Sequence, residues 1–237
     1  MTSTIAPEQA RAAMLNAIRR GLRRGPLPPD QIAMLRRRLA EHPRQLIPAR
    51  TSLPRDGVIA LFVRQAEAVF ATVAHAGSLA EVPGLVADYL ASQNLPSEIV
   101  VAPHQELRAI PWSERPLLNV REGRASPTDV SSVQHGFAGI AETGTLMLPA
   151  AADRPTTLNL LPDNAIVVLR SSRVVGPYED AWDLLRAQWG EGVMPRNVML
   201  VTGPSRSADI EQTLELGAHG PRRLHIVLVD DEASVRP

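Results

Sequence analysis

The chain of 237 residues contains no lysine and no cysteine, and all 25 of its basic residues are arginine. Without lysine there is no Schiff base, which excludes pyridoxal-phosphate enzymes and lysine aldolases. The lysine of a phosphate-binding P-loop is missing as well. Without cysteine this chain has no disulfide framework, no thiol nucleophile, no zinc knuckle and no cysteine-ligated iron–sulfur cluster. A GC-rich genome that writes arginine for lysine accounts for the bias, and the exclusions hold whatever its cause. Aromatic residues are only 3% of the chain, too few for a base-stacking surface for single-stranded nucleic acid. No apolar run reaches the roughly 18 residues of a membrane span. Residues Met1 to Ala10 are polar and lack the apolar stretch of a signal peptide, so a cytoplasmic location and no membrane partner are expected.

What is present is a globular composition, 44% hydrophobic, with a net charge of zero that is unevenly placed. Residues 1–50 hold ten arginines against Glu8, Asp30 and Glu41, a balance of +7. The remainder holds fifteen arginines against twenty-two acids, a balance of −7. The chain is a basic head on an acidic body.

Periodicity divides the chain near residue 56. Met14, Ile18 and Leu22 recur every four residues and predict a helix over 7–24, stopped at Gly25-Pro26. A second helix follows Pro28-Pro29, with Ile32, Leu35 and Leu39 on one face. These thin amphipaths need a partner surface. The prediction is a basic helical extension over 1–56 and an α/β domain over 57–237. In the domain, Ile59, Phe62, Ala66 and Val69 make a longer helix. A strand is expected near 70–74, and a helix over 78–93 with Ser78 and Glu81 as a capping box. Short apolar runs at 98–102, 145–148, 165–169, 197–201 and 224–229 read as strands buried on both faces. Helices are expected at 178–189 and 209–216. Strands alternating with helices predict an α/β sandwich around a mostly parallel sheet.

Three segments could carry chemistry. In the first, Val201 runs into Thr202, Gly203, Pro204, Ser205, Arg206, Ser207, Ala208, Asp209, Ile210 and Glu211. A strand end feeding a helix start suits an anion, because the free N–H groups and the dipole point at it. Ser205 and Ser207 add hydroxyls, and Arg206 adds a guanidinium fork. The other reading is plain capping by Ser207 or Asp209, and Asp209 and Glu211 would repel a strongly charged phosphate. A nucleophile elbow is disfavoured because the final glycine of G-x-S-x-G is missing. In the second segment, Glu142 stands among Thr143, Gly144 and Thr145 before an apolar run. The carboxylate can be a base or nucleophile, or it can cap nearby backbone. In the third, His219 and Gly220 lie on a loop, where the imidazole can titrate or simply sit satisfied. The other histidines, His42, His75, His104, His135 and His225, are scattered along the sequence with no HExxH, so no metal site is expected.

Taken in order, these segments resemble the lactate utilization protein C family, also called the LUD domain. The resemblance rests on Ile140-Ala141-Glu142-Thr143-Gly144-Thr145-Leu146, on Leu160-Leu161-Pro162 before the strand at 165–169, on 202–211, and on Gly217-Ala218-His219-Gly220-Pro221. It is strongest over about 125–230. Ser207 stands where the family usually has threonine, and Asn164-Ala165 where it often has a histidine.

The resemblance implies a three-layer α/β sandwich similar to the sugar-isomerase and CoA-transferase superfamily. It implies work with two iron–sulfur proteins in oxidising L-lactate to pyruvate. A cysteine-free chain fits the member of that set that holds no cluster, and no cofactor of its own is expected. Comparison with CoA-transferases makes Glu142 a candidate nucleophile, an analogy from fold alone. The ligand-binding expectation covers Thr143, Gly144, Thr145, Gly203, Pro204, Ser205, Arg206, Ser207, Asp209, Glu211, His219 and Gly220, around a small anion. The alternative is a stand-alone enzyme or binding protein for a small carboxylated or phosphorylated metabolite. The arginine-rich head could attract nucleic acid, but the solvated faces of two amphipathic helices account for it more simply.

Overall fold

The computed structural model describes residues 7–23, 25–190, 192–210 and 213–231. It forms two compact units, Met1–Leu46 and Ile47–Pro237. The first contains α1 (Pro7–Gly21) and α2 (Pro29–Glu41). Proline at the start of α2 fits, because the first helical N–H groups have no partner to lose. The helix ends on His42 in the left-handed region, whose N–H donates to the Arg38 carbonyl. Met14, Ile18, Leu22, Met34 and Leu39 are exposed.

The second unit is built on a six-stranded, wholly parallel sheet. Its elements are α3 (Arg55–Ala68), β1 (Thr72–Ala76), α4 (Val82–Ser92), β2 (Glu98–Val101), α5 (Gln105–Arg108), β3 (Asn119–Glu122), β4 (Ser131–His135), β5 (Ala138–Ile140), β6 (Thr145–Pro149), α6 (Thr157–Leu160), β7 (Asn164–Arg170), β8 (Val174–Val175), α7 (Tyr178–Trp189), β9 (Val198–Val201), β10 (Arg206–Ile210), β11 (Thr213–Leu216) and β12 (Arg223–Val229). The large sheet runs β1-β12-β7-β4-β2-β3.

The two-residue period of the central strands decides what covers each face. Ala165, Val167 and Leu169 of β7, with Leu224, Ile226 and Leu228 of β12, pack against Val58, Leu61, Phe62 and Ala66 of α3. Ile166, Val168, Val227 and Val229 point the other way, onto Val82, Val86, Tyr89 and Leu90 of α4. Burying one such large side chain contributes roughly 1.5–3 kcal/mol. Helices on both faces are therefore needed to complete the core.

Two apolar runs have a different home. β6 and β9 lie in a second sheet, β8-β5-β6-β9, where they pair antiparallel through Leu146↔Val201 and Leu148↔Met199. Leu146 and Leu148 join the core under α3. Met147 joins Ala181 and Leu185 of α7. Burial on both faces makes β6 look, in sequence, like a member of the parallel sheet, whereas β9 is only partly buried and exposes Leu200, against the expectation for that run.

Two local expectations are corrected. The helix expected at 209–216 is a hairpin: β10 pairs antiparallel with β11 through Arg206↔Leu216 and Ile210↔Thr213. A helix over 209–216 would carry its end about 12 Å from its start. Here the Gly217 N–H instead donates to the Ser205 carbonyl at 3.0 Å, which folds the segment back on itself. The capping box is also half absent. Ser78 makes no side-chain cap, and a 3-10 turn over Leu79–Glu81 precedes α4. Glu81 does reach back, its Oε2 accepting from the Gly77 N–H at 3.1 Å. No described helix is long and apolar enough to cross a membrane.

Candidate functional site

The turn that joins β5 to β6 carries Glu142, Thr143 and Gly144. Glu142 Oε2 accepts the N–H of Tyr178, the first residue of α7, at 3.3 Å. Its own N–H donates to the Gly176 carbonyl at 3.0 Å, and its carbonyl accepts from Arg50 Nη2 at 3.2 Å. The carboxylate thus sits at the positive end of a helix dipole as a cap. Beside it the Thr145 hydroxyl lies 2.6 Å from Thr143 Oγ1, 3.0 Å from the Tyr178 hydroxyl and 2.7 Å from Thr202 Oγ1. These hydroxyls tie β6 to the end of β9 and the start of α7.

The glycines have a packing reason. Gly144 has φ +68°, and a Cβ on it would fall 2.3 Å from the Ala66 backbone N. Gly203 has φ +71°, and a Cβ there would fall 2.2 Å from the Val69 carbonyl oxygen. Both turns are pressed against the end of α3, and only glycine fits an αL position at that approach.

Ser205 and His219 meet separately. Ser205 Oγ accepts the His219 N–H at 3.2 Å, and the Ser205 N–H donates to the Pro221 carbonyl at 2.8 Å. Gly220 lies alongside. Arg206 spreads over the Phe70 ring, its Cζ 3.5 Å from the centroid, a cation–π contact that holds β10 near the α3–β1 turn. Pro204 occupies the turn between β9 and β10. The expected helix start after Pro204 does not exist, so no helix dipole serves an anion there. Ser207 and Asp209 lie on β10, their side chains outside the described residues, as is Glu211. The segments therefore form two packed knots, one around Thr145 and one around Ser205. The Ser205 knot lies where β1 and β12 begin.

The opposite end of the sheet is different. His104 follows β2, His135 ends β4, Arg170 ends β7, and Asp231 lies just beyond β12. All are at the carboxyl edge, where ligands bind in open parallel sheets. The His104 and His135 rings stack with centroids 3.8 Å apart. Arg154 reaches both, with Nη2 2.8 Å from His104 Nε2 and Nε donating to His135 Nδ1 at 3.3 Å. Glu106 Oε1 faces His135 Nε2 at 3.6 Å, and its Oε2 accepts from Arg170 Nε at 2.6 Å. Asp231 closes the chain, 3.6 Å from Arg170 Nη1, and accepts from the hydroxyls of Ser171 and Ser172. Arg173 donates to the Phe137 carbonyl at 3.0 Å.

Burial sets the charge states. It pushes His104 down to about 4, aided by His135 and Arg154. Burial also lowers His135, against the opposing pull of Glu106. Glu106 is held down at about 2, first by the His135 ring N–H and then by Arg170. At neutral pH two neutral imidazoles thus lie between a carboxylate and a desolvated guanidinium. Such perturbed groups at a sheet's carboxyl edge make this cluster the candidate functional site.

A pocket of about 300 Å³ opens beside this cluster, lined by Asp56, Ile59, His75, Ser171 and Asp230. Larger clefts of about 500 and 440 Å³ flank α4 and do not reach the cluster. Among the described residues no group of three His, Asp or Glu side chains is placed to hold a metal. Sequence spacing separates His104 from His135 by thirty-one positions, so the pair reads there as scattered. Of the two, only His104 follows a short apolar run, EIVV, whereas His135 ends a strand that is mostly polar.

Residues 133–229 match the LUD domain family model. Lactate utilization protein C of Shouchella clausii is 31% identical over 125 residues, which is 50% of this chain and 55% of that protein. The protein of the same name from Bacillus subtilis is 38% identical over 93 residues, 39% of each chain. Over residues 133–229 the chain is similar to the LUD domain family. It spans about half, or less, of the length of these curated relatives. A crystal structure of a DUF162 family protein from Deinococcus radiodurans superposes with a TM-score of 0.56 at 26% identity, covering 75% of this chain and 99% of that one. The LUD match takes in His135, Arg154 and Arg170 and stops short of His104 and Glu106. The edge cluster is therefore assembled from inside and outside the matched segment.

Proposed function

We propose that this chain is the cluster-free component of an L-lactate utilization system, working in the cytoplasm with iron–sulfur proteins that carry the electrons. Its relatives named lactate utilization protein C support that reading, as does the lack of any cysteine. The observation that carries it furthest is the ionisable cluster of His104, His135, Glu106, Arg154 and Arg170 at the carboxyl edge of the LUD sheet. A small hydroxy acid needs cationic and imidazole donors of this kind. The layered fold is read as similar to the sugar-isomerase and CoA-transferase superfamily, with residues 1–56 as a basic extension to the 57–237 domain. The test is reconstitution. Lactate oxidation is measured with the two iron–sulfur partners alone and with this chain added. The reading requires that omission of the chain stops or sharply slows turnover. Full oxidation without it overturns the reading.

A second reading, a stand-alone enzyme or binding protein for a small carboxylated or phosphorylated metabolite, draws on one feature. His135 is held between Glu106 and Arg154, as a positioned imidazole would be. A thermal-shift screen separates the two, because a purely partner-binding subunit gains no stability from small molecules.

A further inference from the structure

The amphipathic helices of the first unit leave their apolar faces uncovered. Met14, Ile18 and Leu22 recur every four residues along α1 and the turn that ends it, and each is exposed by half or more. α2 buries no residue. Helices this short draw most of their stability in water from packing an apolar face on another surface. α1 also carries Arg11, Arg19 and Arg20, part of the +7 balance of residues 1–50.

The second unit offers a surface of matching chemistry. Along α4, facing the segment 112–118, lie two clefts of about 440 and 500 Å³ that share Asp88, Glu114 and Arg115 and so form one groove. Ala87, Leu90, Ala91, Leu95, Leu117 and Leu118 line its apolar half, and Leu117 stands 87% exposed there. The segment is pinned: Trp112 Nε1 donates to the Leu107 carbonyl at 2.9 Å, and the Leu118 N–H to the Arg115 carbonyl at 2.9 Å. Gly84 of α4 admits the Arg115 side chain, since a Cβ on it would fall 2.9 Å from Arg115 Nη2. Glu81, Asp88 and Glu114 are exposed along the groove, three carboxylates against that one guanidinium. An apolar floor with an acidic margin fits a basic amphipathic helix.

We propose that the α4 groove receives α1 of a second copy of this chain, with Met14, Ile18 and Leu22 on the apolar floor and the arginines of α1 toward Glu81, Asp88 and Glu114. The stripe from Met14 to Leu22 spans about 12 Å along a helix axis. The charges are complementary throughout, because residues 1–50 carry +7 and the rest of the chain −7. The course of the linker favours a second copy over the chain's own head. Thr51 is buried against Gly176, where a Cβ would fall 2.9 Å from the Thr51 carbonyl oxygen, and Arg50 donates to the Glu142 carbonyl. The linker therefore joins the domain beside the second sheet, on the α3 side, whereas α4 covers the opposite face of the parallel sheet. Two copies that exchange heads fill both grooves and close as an isologous dimer.

Sedimentation velocity of the full chain, from about 1 to 100 μM, measures the association. A dimer is expected, weakened about tenfold or more by Ile18→Glu and by Leu117→Glu. Both side chains are exposed, and circular dichroism confirms that both variants keep their helices. The absence of native cysteine makes the docking directly readable. Ile18→Cys and Leu117→Cys chains, mixed and mildly oxidised, are expected to form a disulfide between the two variants. A chain that stays monomeric at about 100 μM overturns the proposal. A dimer that both glutamate variants leave intact overturns it too, and a dimer weakened by Ile18→Glu alone puts the head somewhere other than this groove. A chain carrying both Ile18→Cys and Leu117→Cys that closes its disulfide within one monomer shows its own head in the groove and overturns the exchange.

Discussion

Gly144 lies so close to Ala66 that a Cβ on it would meet the Ala66 backbone N at 2.3 Å. The contact sets the distance between the turn after β5 and the end of α3, and so the seating of the second sheet under that helix. Neither partner can yield, because one is helix backbone and the other is a turn at φ +68°. Gly144→Ala is expected to destabilise the fold by about 3 kcal/mol or more. Gly21→Ala, where nothing lies within 4 Å, is the matched control. Its change is expected to stay within about 1 kcal/mol. Urea unfolding of the two variants beside wild type checks both.

Glu142 separates a cap from a nucleophile. Its Oε2 accepts the first N–H of α7, a role that a neutral amide oxygen can also fill. Glu142→Gln should therefore cost about 0.5–1 kcal/mol of stability, mostly from the lost dipole interaction. Lactate oxidation by the reconstituted set should change less than about twofold. A loss of several orders of magnitude with an intact fold would instead make this carboxylate a reacting group.

How far the fold could be read from sequence depends on what each strand faces. β7 and β12 are apolar on both sides and stand out as AIVVL and LHIVLV. The helix over Tyr178–Trp189 was equally legible from its periodicity. β4, Ser-Ser-Val-Gln-His, is fully buried yet mostly polar. Its Ser132 and Gln134 both donate to the Leu158 carbonyl, a partner 24 or more residues away that no local pattern reveals. The edge cluster was hidden for the same reason. His135 is recognisable as a strand end only once β4 is recognised. At 209–216 the acidic and leucine spacing imitates a helix, and the Ser205–Gly217 backbone bond overrides it. The small and hydroxyl residues at 142–145 and 202–205 were conspicuous in sequence. Their glycines are explained by close packing on α3 and their threonines by a shared hydroxyl network.

His225 gives the fold an acid limit. Its ring stacks on Tyr89 at 4.0 Å, its Nδ1 lies 2.7 Å from Thr72 Oγ1, and its buried Nε2 has no hydrogen-bond partner among the described residues. Burial pushes it down to about 4. The unfolded chain, with an ordinary histidine near 6.5, binds the proton more readily. The stability held by neutral His225 is thus complete above about pH 6.5 and is lost as pH falls toward 4. Between pH 7 and 5 this one ring accounts for roughly 2 kcal/mol. His104, lowered by its own burial, adds a loss of the same sign. His225→Phe keeps an aromatic face for Tyr89 and removes the titration. Its stability should fall less between pH 7 and 5 than that of wild type, and parallel pH profiles would refute the assignment.

Thr145 is the hub of the hydroxyl network, and its removal has a distinctive arithmetic. It is fully buried and touches three hydroxyls, those of Thr143, Tyr178 and Thr202. Thr145→Val keeps the shape but leaves Thr202 without that partner, which should cost about 1–3 kcal/mol. Thr202→Val alone should cost less, because Thr145 retains two other hydroxyl partners. In the double variant both ends of the lost bond are apolar, so neither is left unsatisfied through it. The double loss should then be smaller than the two single losses together by about 0.5–1.5 kcal/mol. A double-mutant cycle by denaturant unfolding measures that coupling. Strict additivity would mean that the bond between β6 and the end of β9 contributes nothing to holding the second sheet together.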